Sequence, residues 1–259
     1  MAKWTMEKWK VESINLNNSD HPLYANNTVP ETASILEMSE NWDAVYRSER
    51  WIDVNKLPYS LNETPTKILT MFGTAEVKDW NWNVLDEACW DGHMTNWMQE
   101  NIESNQKYFL HDISMEALKH AQKQFWFKDE QLILTPDLQK DNKKFDKILV
   151  RGLYHHLSPS LRQKYSKMYW DKLNDDWVIC IASRTLDDPV RKKAREENPT
   201  RRKEIFSHLS TWPVNFDMIT KPYFIIEWEW FMDITEWTTW NKRKLKVIIA
   251  RKNLNLNKD

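Results

Sequence analysis

The chain has 259 residues, a formal net charge of −1 and 41% hydrophobic residues, enough for one large domain or two small ones with a full core. The near-neutral balance gives no global pull toward nucleic acid or an anionic membrane, and no apolar run approaches the roughly 20 residues that span a bilayer. Two cysteines, Cys89 and Cys180, supply neither a disulfide framework nor a metal spacing; the charged start MAKWTMEKWKVE has no apolar signal-peptide core, so a cytoplasmic protein is expected.

Residues 1–62 read as an N-terminal arm with cap helices, of which Glu31–Arg50 is the clearest, and Pro65–Phe72 as a helix leading into the core. From residue 83 strands and helices alternate regularly, which predicts a parallel sheet with helices on both faces. The expected strands are Asn83–Asp86, Lys107–His111, Gln131–Thr135, Lys147–Val150 and Trp177–Ala182. The helices between them are about His93–Ile102, Ser114–Phe125 with Ser114 as its cap, and Ser160–Leu173 after Ser158-Pro159. A charged insertion covers 187–206. Its basic run Arg191–Lys203 is interleaved with Glu196 and Glu197, which favours a solvated helical lid over a surface for nucleic acid or an acidic substrate. A helix around Asn215–Ile226 then precedes two last strands, about Phe231–Thr235 and Lys244–Arg251, joined by a short turn. The core domain is thus 63–252, and the tail 253–259 is expected to fray.

Two residue counts are abnormal. At the usual ~7% glycine, a chain of this length would carry about 18; this one has 3, against 16 tryptophans. Trp80, Trp82, Trp90, Trp177, Trp237 and Trp240 stand in turns, where turn chemistry asks for glycine. Some genetic codes read UGA as glycine and others as tryptophan, so many of these positions are expected to be glycine codons. A tryptophan-rich sequence that arose by drift is the alternative.

The stretch Asn83–Trp97 runs strand, tight turn, helix, the unit that holds a nucleotide-like cofactor in doubly wound folds. Its turn resembles the glycine-rich motif D-x-G-x-G-x-G of the class I S-adenosylmethionine (SAM) dependent methyltransferases, reading here Asp86-x-Ala88-x-Trp90-x-Gly92. One glycine of three is kept, and an indole at Trp90 fills space that a cofactor needs. The resemblance extends over about Asn83–Arg251. It implies a Rossmann-like, seven-stranded, mostly parallel sheet closed by an antiparallel hairpin, with SAM as cofactor and a small molecule as methyl acceptor.

The resemblance also implies roles. Asp112, in Leu110-His111-Asp112-Ile113-Ser114, takes the place of the acidic residue that accepts the ribose hydroxyls, with Ile113 beside it; it would otherwise cap the next helix. Asp137, after Thr135-Pro136, is the candidate for the adenine amino group, or else a turn aspartate. Asp86 orients the loop near the cofactor's amino group, and Ala88, Trp90 and Gly92 form the loop itself. The run Arg151-Gly152-Leu153-Tyr154-His155-His156-Leu157 resembles a family loop ending in H-H-L. It puts Arg151 beside the methionine end and offers His155 or His156 as a general base, or as a helix cap. Adjacent histidines without a spaced partner are no zinc set. Asn41-Trp42-Asp43-Ala44-Val45-Tyr46 resembles a W-D-x-x-Y segment that covers the cofactor, or is an amphipathic helix packed on the core. If Trp90 closes the loop, a catalytically inactive binding module on the same fold is the competing reading.

Overall fold

The computed structural model describes residues 82–101, 106–134, 137–140, 142–154, 157, 159–184, 189, 216–235 and 242–257. Upstream of these it describes Ser39, Glu40, Trp42, Asp43, Tyr46 and Arg47, all of them helical. In chain order the elements are β1 (Asn83–Glu87), α1 (His93–Asn101), β2 (Lys107–Asp112), α2 (Met115–Phe125), β3 (Leu132–Leu134) and α3 (Asp137–Lys140). There follow β4 (Phe145–Arg151), α4 (Pro159–Lys172), β5 (Leu173–Arg184), α5 (Phe216–Thr220), β6 (Phe224–Thr235) and β7 (Lys242–Lys252). The seven strands form one sheet in the order β3-β2-β1-β4-β5-β7-β6. The first five are parallel, and β7 runs antiparallel between β5 and β6. This is the Rossmann-like sheet with an antiparallel close that the sequence implies.

Strand periodicity divides the core between two faces. Successive side chains point to opposite sides of a strand, so Val84, Tyr108, Leu149, Cys180 and Ala182 pack with Met94 and Met98 of α1. Their neighbours Leu85, Phe109, Ile148, Val150, Ile179 and Ile181 pack with Leu161, Tyr165 and Tyr169 of α4 and with α5. Leu85, Ile148, Leu149, Ile179 and Ile181 have no exposed surface. Helices therefore cover both faces, and the strands read as nearly continuous apolar runs for that reason.

Four expectations needed correction. The helix expected over 215–226 ends at Thr220, because the Lys221-Pro222 step cannot continue it. Phe224 then starts β6 seven residues earlier than the sequence suggested, with Phe224 buried and Ile225 exposed in strand alternation. β5 begins at Leu173, directly after α4, and reaches Arg184; an irregular register against β4 between Phe145 and Lys147 absorbs the extra residues. The start of the tail is tied down rather than frayed. Asn253 N–H donates to Tyr223 O at 2.8 Å, Trp170 Nε1–H donates to Asn253 O at 3.1 Å, and Leu254–Asn257 forms a 3₁₀ turn. The helix expected at 65–72, most of the insertion and the turn between β6 and β7 lie outside the described residues. Among the described residues no helix is long and apolar enough to cross a membrane.

Candidate functional site

The strand order reverses between β1 and β4, and at such a switch point the carboxyl ends of the strands open a crevice. The β1–α1 loop fills one side of it. Ala88, Trp90 and Gly92 have φ of 54°, 57° and 76°, all in the left-handed region that favours glycine. These are the three positions at which the motif places glycine. Backbone bonds hold the loop in that shape. Cys89 N–H donates to His111 O at 3.1 Å, Gly92 N–H to Cys89 O at 3.0 Å, and Asn96 N–H to Gly92 O at 2.9 Å. Gly92 also has no room for a side chain. A Cβ there would lie 2.9 Å from Ala121 Cβ, 2.9 Å from Phe127 Cε2 and 3.0 Å from Leu110 Cδ2, where the loop packs α2 against the sheet.

Asp112, at the end of β2, links the loop to α2. Its Oδ2 accepts from Trp90 N–H at 3.1 Å and its Oδ1 from Ser114 N–H at 2.9 Å. One lone pair on each oxygen remains for a ligand. Burial pushes this carboxyl up to about 7, against the lowering by the two N–H bonds and by the charge of His111. The helix cap that competed for Asp112 belongs to Ser114, whose Oγ accepts from Ala117 N–H at 3.1 Å. Asp86 is placed differently. It lies within β1, off the crevice wall, and its Oδ2 accepts from Thr95 Oγ1 of α1 at 2.7 Å. Its Oδ1 is buried with no partner among the described residues. Burial raises Asp86 to about 6, opposed by the Thr95 bond and by Arg151.

The sequence reading passed over one buried pair. Glu87 Oε2 and His111 Nδ1 are 2.5 Å apart, on adjacent strands that place the two residues in register, and both are almost wholly buried on the crevice floor. A second acid directly after Asp86 at the end of a buried strand was a signal for such a partner.

The upstream helix forms the roof. Asp43 Oδ1 accepts from Ser114 Oγ at 2.5 Å and from Glu116 N–H at 3.2 Å, and Ser39 Oγ donates to Ile113 O at 2.8 Å. The Asp43 carboxylate thus sits at the N-terminus of α2, where exposed amides favour a negative charge. This docking brings Trp42 and Tyr46 to the crevice. Burial, then the carboxylates of Asp112 and Asp91, hold the Tyr46 phenol well above its usual range.

Of the residues singled out from the sequence, Ala88, Trp90, Asp112 and Ile113 line the crevice together, with Gly152 and Leu153 opposite them after β4. Gly92 supports the loop from behind, and Arg151 ends β4 close enough to influence Asp86. Asp137 opens α3. His155 and His156 lie outside the described residues. The space left between loop and roof is about 30 Å³, against the roughly 300–1,000 Å³ of ligand pockets.

No protein-family profile matches the sequence, and no curated protein does. Solved structures do match. A SAM-dependent methyltransferase from Anabaena variabilis superposes with a TM-score of 0.61 at 13% identity, over 83% of this chain and 95% of its own. A structure solved in connection with the conversion of a disulfide bond into a thioacetal group during echinomycin biosynthesis gives 0.56 at 18% identity, over 85% and 94%. Magnesium protoporphyrin IX methyltransferase from Synechocystis PCC 6803, with bound SAH, gives 0.53 at 15%, over 84% and 94%. The fold is that of the SAM-dependent methyltransferases. The polar groups present suit such a cofactor, since Asp112 keeps lone pairs for a vicinal diol and the loop backbone is turned as the motif demands. The room beside Trp90 does not suit it.

Proposed function

We propose that the protein is a SAM-dependent methyltransferase acting on a small molecule. The observation that carries this reading is the switch-point crevice. It holds an acidic residue at the end of β2 and a loop whose three motif positions all have left-handed backbone. A bound SAM would bring a sulfonium-activated methyl group, so the chain has mainly to bind, align and exclude water. In this reading Asp112 accepts the ribose hydroxyls, Asp137 is the candidate for the adenine amino group, and Trp42 and Tyr46 close the roof against water. Arg151 and the loop from Gly152 border the acceptor side, with His155 or His156 as the proton acceptor. A cytoplasmic setting and a small-molecule partner follow from the same reading.

The second reading is a binding module with a blocked cofactor loop, favoured by the narrow space beside Trp90. Calorimetric titration with S-adenosylhomocysteine separates the two. The Trp90→Gly protein is expected to bind in the micromolar range, and Asp112→Ala in that background to lose at least tenfold. Absence of binding by Trp90→Gly supports the module.

A further inference from the structure

Among the described residues, two tryptophans occupy backbone shaped for glycine, in places that serve unrelated ends. Trp90 (φ 57°) sits in the crevice loop, where its ring takes up room beside Asp112. Trp126 (φ 60°, ψ 30°) ends α2, with its N–H donating to Gln122 O at 2.9 Å. A left-handed residue closing a helix in this way is usually glycine. The Trp126 side chain is 87% exposed, so burial does little to offset the backbone strain. A third tryptophan, Trp228, is 68% exposed where β6 slips register between Ile226 and Trp228, and strand irregularities are also places for glycine.

Trp82 and Trp177 differ. Neither has left-handed backbone, their rings meet edge to face at 5.1 Å, and Lys147 Nζ lies 3.8 Å from the Trp82 ring centroid. The positive φ near Trp177 belongs to Asp176. The backbone at these two positions does not ask for glycine, so the described tryptophans are not all alike.

We infer that the natural protein carries glycine at positions 90 and 126, encoded by UGA read as glycine, and that its crevice is correspondingly open to an adenosine-bearing cofactor. The last clause rests on the proposed function; the residue assignment does not. Position 126 is remote from any ligand in this account, so it tests the assignment alone. Trp126→Gly is expected to melt about 2–4 °C above the chain with Trp126, with Trp126→Ala showing no such gain. A Trp126→Gly protein that melts at or below the Trp126→Ala protein overturns the assignment at that position. The gene is expected to read UGA at both codons, and UGG at either one overturns the decoding. The crevice is tested with S-adenosylhomocysteine, which Trp90→Gly is expected to bind at least tenfold more tightly than the chain with Trp90. Equal binding by both overturns the open crevice. UGA at both codons, with no binding by Trp90→Gly, would keep the assignment and remove the methyltransferase reading instead.

Discussion

Gly92 is held by two independent constraints, a left-handed φ of 76° and three neighbouring atoms within about 3 Å of any Cβ. Gly92→Ala is therefore expected to cost about 2–4 kcal/mol, combining overpacking with backbone strain. Urea unfolding measures it, and a loss under about 1 kcal/mol would contradict the packing described. The carboxyls give a second prediction. Burial raises Asp112 to about 7 and Asp86 to about 6, whereas an unfolded chain releases these protons near pH 4. Between about pH 4 and 7 the folded state keeps protons that the unfolded state has lost. The contribution of these groups is thus fully present below about pH 4 and is lost as pH rises through 6 to 7. Asp112→Asn is expected to flatten the fall in unfolding free energy between about pH 4 and 7. An unchanged slope would show that Asp112 is ionised throughout.

Between elements, the contact that places the roof is the one from Asp43 to the N-terminus of α2. Its removal by Asp43→Ala is expected to cost about 1 kcal/mol, the usual worth of a side-chain cap. Limited proteolysis is expected to cut more readily around residue 43, and an unchanged cleavage rate would contradict this docking. How much of this was legible in the sequence varied with the physics. The β1–β4 strands and the helices between them were readable because their apolar runs and the Ser114 cap are local signals. The start of β6 was not, since Phe224-Ile225-Ile226 suits a buried helix and a strand equally; pairing with β7, distant in sequence, decides between them. The Asp43–Ser114 contact joins residues 71 apart and left no local trace. Glu87 was visible as a second acid at the end of β1, but its partner His111 appears only once β1 and β2 are in register.

Across the whole molecule, the sheet order puts the motif loop, Asp112 and the β4 loop at one crevice, and each of these was named through the resemblance of its motif to the methyltransferase family. The backbone at 88, 90 and 92 explains why the motif remains recognisable with two of its glycines replaced: the left-handed turn survives, while the volume beside it does not. The fold and the free lone pairs of Asp112 are thus compatible with the proposed cofactor site, and a single indole stands against it. The most direct measurement is calorimetric titration of Trp90→Gly with S-adenosylhomocysteine, alongside the same protein carrying Asp112→Ala. Micromolar binding that weakens at least tenfold without Asp112 is the predicted result. No binding, or binding indifferent to Asp112, would contradict the cofactor site and leave a methyltransferase-like fold with another purpose.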